Sequence, residues 1–197
     1  VSNFKPSIAK YIYDHYGNNG HVLDYSSGFG GRLLGAMTSN NIRSYTGTDP
    51  QKDTYNGLLA MVKDLDSKPN IILHNTPFED LHLENNFYDL SFSSPPYFDT
   101  EEYSYDDTQS FIRHNTATAW RDNWLKVIIE KNYNAIKKGG YFIINVANVR
   151  SYKTLEDDAI ALSQAAGFTY IKTYKMLLSS LMGSGFKHEP MFVFKKL

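Results

Sequence analysis

Val22-Leu23-Asp24-Tyr25-Ser26-Ser27-Gly28-Phe29-Gly30-Gly31-Arg32-Leu33 sets an apolar run ending in a carboxylate, then a glycine cluster, then the apolar start of a helix. Glycines between a strand and a helix let the backbone come up close against a ligand at the helix start. A dinucleotide site would begin its G-x-G-x-x-G directly after the strand; here the glycines come later, behind Asp24, and the third position differs. No G-x-x-x-x-G-K-[ST] occurs, so a phosphate-cradling P-loop is excluded. The stretch reads as a βα unit with its ligand at the carboxyl end of the strand.

Outward from it, runs rich in aliphatic and aromatic residues at 22–25, 43–47, 71–73, 88–92, 141–146, 168–174 and 191–194 read as seven strands. Helical patterns at 7–16, 31–39, 51–65, 117–137 and 155–166 lie between them, the last two ending at Gly139-Gly140 and Gly167 as C-caps would. Alternating strands and helices predict an α/β fold of right-handed βαβ units, a mainly parallel sheet with helices on both faces. The last two strands have no helix of clear period between them and are expected as an antiparallel edge. No repeat, linker or low-complexity tract divides the chain, so 1–197 is expected to be one domain. The segment 97–116 is polar, acidic and without period, too long for a routine connection, and reads as either an active-site lid or a solvated loop. It carries Asp99, Glu101, Glu102, Asp106 and Asp107 and is followed by Arg113, His114 and Arg121.

With 42% hydrophobic and 21% charged residues the composition is that of a soluble globular protein. No stretch approaches the ~18–20 apolar residues of a membrane span, and 1–6 lacks a signal peptide's apolar region. A cytoplasmic protein with no membrane association is expected. The formal charge of −1 gives no global pull toward a polyanion, so contact with nucleic acid needs local basic patches or a protein partner. The absence of cysteine removes thiolate metal sites and the nucleophile that methylation at cytosine C5 requires. The six histidines show no ligand spacing, and no metal is expected. Trp120 and Trp124, four apart on a helix, are expected to pack in the core.

Two further segments carry chemistry. Ser93-Ser94-Pro95-Pro96-Tyr97 follows the apolar run 88–92; paired prolines end a strand rigidly and leave their carbonyls beside it, between a hydroxyl and an aromatic face. That set suits a flat ring carrying an amino group, held by acceptors and stacked on the tyrosine. Tyr45-Thr46-Gly47-Thr48-Asp49-Pro50 places a carboxylate after the second strand, where it would accept both hydroxyls of a ribose or cap the next helix. Asp24, the glycines and Asp49 together match a nucleoside with a charged, non-phosphate tail, and S-adenosylmethionine fits.

On these residues the sequence resembles the class I S-adenosylmethionine-dependent methyltransferases, and within them the exocyclic-amino DNA methyltransferases. That family carries [D/N/S]-P-P-[Y/F] after its fourth strand, and the serine form is similar to the type usual in N4-cytosine enzymes. Phe4-Lys5-Pro6 looks like the motif near the methionine end of the cofactor, and Asn75-Thr76-Pro77-Phe78 sits where family members contact the adenine. Lys138-Gly139-Gly140-Tyr141 resembles the turn before the fifth strand, and His188-Glu189-Pro190-Met191 the entry to the closing strand. The motif order is like the gamma arrangement, and no separate target-recognition domain is expected. Tyr25-Ser26 departs from the usual D-P-F-x-G-x-G. The resemblance implies a Rossmann-like fold and methyl transfer from S-adenosylmethionine to cytosine N4, or less readily adenine N6, in DNA. It implies Ser94, Pro95, Pro96 and Tyr97 as catalytic residues. Phe4, Lys5, Asp24, Ser26, Gly28, Gly30, Asp49, Pro50, Thr76, Phe78 and Ser93 are implied for the cofactor. His188 and Glu189 are expected as strand-entry contacts. RNA guanine-N2 and protein glutamine methyltransferases use related motifs, and a partner-dependent binding subunit is the other alternative.

Overall fold

The computed structural model describes residues 3–100, 108–178 and 187–197. Strands β1 (Gly20–Asp24), β2 (Ile42–Thr48), β3 (Asn70–His74), β4 (Tyr88–Ser93), β5 (Ile136–Asn145), β6 (Phe168–Leu178) and β7 (Lys187–Lys196) form one seven-stranded sheet in the order β3-β2-β1-β4-β5-β7-β6. β1 to β5 run parallel, whereas β7 lies antiparallel between β5 and β6. The expected antiparallel edge is therefore present, with the later strand on the inside and β6 at the rim of the sheet.

Alternation along the strands builds two cores, because successive side chains leave opposite faces. On one face Val22, Leu90, Phe92, Ile143 and Val193 meet α1 (Pro6–Tyr16), α2 (Gly31–Met37) and α3 (Lys52–Asp64). On the other, Leu23, Phe142, Ile144, Phe192 and Phe194 meet α6 (Lys126–Ala135) and α7 (Leu155–Ala165). Pro6 opens α1, where its missing N–H costs nothing.

Two expectations need correction. The helix read at 117–137 comprises α5 (Ala117–Trp120), a π turn (Arg121–Leu125) and α6, and it ends at Ala135 rather than at the glycines. Tyr88 pairs with Ile136 and Leu90 with Tyr141, so Gly139 and Gly140 lie inside β5 where the register jumps, not in a helix cap. Strand pairing there outweighs the local helical pattern of 136–137. The segment 97–116 is in part structured: a short helix, α4 (Ser110–Arg113), ends it, and Ser110 Oγ accepts from Trp120 Nε1 at 2.9 Å. Its beginning is also anchored, since Phe98, at φ +56°, is buried 6.0 Å from the Trp120 ring. Glu101, Glu102, Asp106 and Asp107 lie outside the described residues. Arg113 pairs with Glu79 and Asp80, and Arg121 with Asp122. Trp120 and Trp124 are core residues with rings 4.7 Å apart.

Candidate active site

The carboxyl ends of β1, β2, β4 and β5 share one edge of the sheet and present Asp24, Asp49, Ser94 and Asn145 there. Asp24 is fully buried and takes four donors. Arg32 Nε reaches Oδ2 at 2.9 Å and Tyr45 Oη the same oxygen at 2.7 Å. Ser93 Oγ reaches Oδ1 at 2.7 Å and the Ser26 N–H at 3.3 Å. Arg32 also donates through Nη2 to the Ser26 carbonyl and lies 5.5 Å from the centre of the Phe4 ring, which itself packs edge-on against Phe92. Burial opposes the charge of Arg32, but the adjacent carboxylate outweighs it and holds the guanidinium above its ordinary range. Burial first, and Asp24 second, push the Tyr13, Tyr25 and Tyr45 phenols well up, so all three stay neutral. The result is a neutral buried knot joining 4, 24–26, 32, 45 and 93.

Asp49 follows β2 and receives the Gly28 N–H at 3.0 Å on Oδ2 and the Gln51 N–H at 3.0 Å on Oδ1. Burial pushes its carboxyl up to about 6, against the pull of those two N–H groups. The cap of α3 is Gln51, whose side chain accepts from the Thr54 N–H, so Asp49 stands two residues before the cap and supports the glycine loop. Gly28 adopts φ +55°, and a Cβ there would have no atom nearer than 4.0 Å: the loop leaves open space beside it. Gly30 forms the left-handed N-cap of α2. Asn75 Nδ2 donates to the Asp49 and Pro50 carbonyls at 3.0 Å each, and the Thr76 carbonyl accepts from Thr48 Oγ1. Phe78 is buried against Tyr25 with rings 5.4 Å apart. Lys5 Nζ donates to the Leu177 carbonyl at 2.9 Å, which ties the start of α1 to the end of β6.

In the proline segment, Pro95 is buried while Ser94, Pro96 and Tyr97 are half-buried. Ser94 Oγ lies 3.3 Å from Tyr97 Oη, and Tyr97 Oη donates to Glu189 Oε2 at 3.4 Å. Asn145 Nδ2 donates to the Pro190 carbonyl at 2.9 Å, while its Oδ1 is buried without a partner among the described residues. Sequence reasoning missed Arg32, Tyr45, Asn145 and the approach of Glu189 to Tyr97. Arg32, the second residue of the helix behind the glycines, was the one with a visible signal. Among the described residues no three metal-binding side chains cluster, and no helix is long and apolar enough to cross a membrane.

Gly31 sits where a Cβ would lie 2.0 Å from the Phe4 carbonyl. Gly31→Ala should therefore push 3–6 off α2 and destabilise the protein by roughly 1–3 kcal/mol. A melting curve superimposable on wild type would refute this.

The sequence matches no family model and no curated protein. Solved structures do match. An S-adenosylmethionine-dependent methyltransferase from Methanosarcina mazei superposes with a TM-score of 0.64 at 13% identity, covering 95% of this chain and 97% of that one. The tRNA (m1A58) methyltransferase of Aquifex aeolicus gives 0.63 at 10% identity, over 100% and 71%. The magnesium protoporphyrin IX methyltransferase of Synechocystis, solved with S-adenosylmethionine bound, gives 0.62 at 15%, over 97% and 77%. At these identities the likeness is one of fold: the chain has the Rossmann-like fold of class I methyltransferases.

Proposed function

We propose that this protein transfers a methyl group from S-adenosylmethionine to an exocyclic amino group of a DNA base, cytosine N4 ahead of adenine N6. The observation that carries the reading is the 2.7 Å bond from Ser93 Oγ to Asp24 Oδ1. It couples the strand end bearing Ser94-Pro95-Pro96-Tyr97 to the strand end that opens the glycine loop, so a donor held at one lies next to an amine held at the other. Solved methyltransferases of like fold act on different substrates, so fold supports the cofactor and only this chain's own motif supports the target.

The residues present suit the cofactor. In this reading Asp49 takes the ribose hydroxyls, Ser26 and Gly28 the tail beside the open face of the loop, Pro50, Thr76 and Phe78 the adenine, and Phe4 and Lys5 the methionine end. Asp24, saturated by its four donors, holds Ser26 and Ser93 in place. The cofactor supplies an electrophilic methyl group on sulfur. Ser94 Oγ and the Pro95 carbonyl accept the N–H bonds of the target amine and draw its nitrogen toward tetrahedral geometry, freeing a lone pair otherwise delocalised into the ring. Positioning and local dipoles do the work. Tyr97 stacks on the flipped base. A protein partner supplies sequence recognition, together with the attraction to phosphates that a net charge of −1 does not provide.

Mass spectrometry of nucleosides from cells expressing the protein should show N4-methylcytosine in DNA. N6-methyladenine alone would move the target, and a modified base confined to RNA, or methylated glutamine, would remove DNA from the reading. No new methylated product at all would overturn it.

Asp49 accepts from both hydroxyls of a ribose best when ionised, and burial pushes its carboxyl up to about 6. Cofactor affinity is therefore expected to rise with pH through that value, by about tenfold between pH 5 and 7 from the change in ionised fraction. Calorimetry across this range checks it; Asp49→Asn should bind weakly and without the pH dependence.

A further inference from the structure

We infer that Glu189 is the exit for the proton that amine methylation releases, reached through the Tyr97 hydroxyl; the inference rests on amine methylation being the reaction. Ser94 Oγ, Tyr97 Oη and Glu189 Oε2 form a chain with steps of 3.3 and 3.4 Å, leading from the atom proposed to hold the amine to a half-buried carboxylate. Contacts of this length tighten when a site fills. Glu189 is also held from behind. It pairs with Met176 in the sheet, and the next carbonyl, that of Pro190, is fixed by Asn145, which is 1% exposed at the end of β5. The backbone that carries this carboxylate is therefore fixed beside the motif, within reach of the Tyr97 hydroxyl.

The chemistry needs such an acceptor. As the amine lone pair forms the nitrogen–carbon bond, the carbon–sulfur bond breaks and its electron pair stays on sulfur. The positive charge passes from sulfur to a nitrogen that still carries both hydrogens. One nitrogen–hydrogen bond then breaks, its electron pair returning to the ring nitrogen system. Ser94 Oγ takes the proton while giving its own to Tyr97 Oη, which gives its own to Glu189 Oε2, and the neutral acid later releases it to water. Glu189 acts through Tyr97 and is thus a positioning residue for the proton rather than a contact of the base.

Glu189→Gln keeps the shape and removes the acceptor. At saturating cofactor, which removes the pH dependence that Asp49 gives to binding, turnover should fall about 100-fold and the acidic limb of its pH profile should disappear, with cofactor affinity unchanged. Glu189→Asp should recover part of the rate with the limb restored. Tyr97→Phe, which keeps the ring, should show the same loss. A readout without substrate uses tyrosine labelled at Cζ. The Tyr97 resonance, assigned by its absence in Tyr97→Phe, should shift through the carboxylate range in wild type and stay flat in Glu189→Gln. An active wild type matched at every pH by Glu189→Gln, or a Tyr97 resonance indifferent to Glu189, overturns the proton path alone. A wild type that binds cofactor but methylates no amine overturns the functional reading and the path with it.

Discussion

Arg32→Ala is expected to lower the melting temperature by on the order of 10 °C. The substitution leaves the Asp24 carboxylate fully buried with its counter-ion gone, and stranding one member of a buried pair costs roughly 3–5 kcal/mol. In a domain of this size each kcal/mol moves the midpoint by about 2–4 °C. The Ser26 carbonyl and the face of Phe4 lose their partner at the same time. The pair itself is a different matter from its breakage: Arg32→Met combined with Asp24→Asn removes both charges and should be less damaging than Arg32→Ala alone. If the single variant melted within a degree or two of wild type, the knot would not be what holds these five segments together.

Ser94→Ala should abolish most of the chemistry while leaving the protein intact. Losing one preorganised partner of the reacting group typically costs about 10²–10³ in turnover. Ser94 is half-buried and bonded only loosely to Tyr97, so the melting point should hardly move, and cofactor binding should be untouched. Its neighbour offers the contrast. Ser93 is fully buried and bonded to Asp24, so Ser93→Ala leaves a carboxylate oxygen short of a donor and should cost roughly 1–3 kcal/mol of stability. Adjacent serines should thus fail in different assays, one in methyl transfer and the other in melting. Equal behaviour of the two variants would remove Ser94 from the proposed reaction.

Much of the architecture could be read from the chain because it follows local rules. All seven strands overlap the aliphatic and aromatic runs read for them, although β5 starts earlier, at Ile136, and Gly167 closes α7 in a left-handed turn, as expected. The errors arise where a distant partner decides. The helix ends at Ala135 because Tyr88, nearly fifty positions earlier, claims Ile136 for the sheet. The anchoring of 98 and 110 in the core depends on Trp120 and Tyr152, which no local pattern announces. In the site, the positions of Asp24, Asp49 and Ser94 at strand ends were legible, since a parallel sheet gathers such residues on one edge. The arginine that saturates Asp24 and the glutamate that reaches Tyr97 were not. Each depends on side-chain direction across elements far apart in sequence.

The place of β7 bears on how the protein is made. On the ribosome β6 emerges before β7, yet β7 is its neighbour in the sheet and separates it from β5. Until 187–196 have been synthesised, β5 keeps an open edge and β6 floats free, exposing Phe168 and Met176, which are buried in the finished sheet. A nascent chain paused or cut short before that point holds an unpaired edge on β5 and an unpaired β6, the form most prone to aggregate or to recruit chaperones. Glu189 arrives with the strand that fills the gap, so the sheet and the far end of the Ser94–Tyr97–Glu189 chain are finished by the same late event.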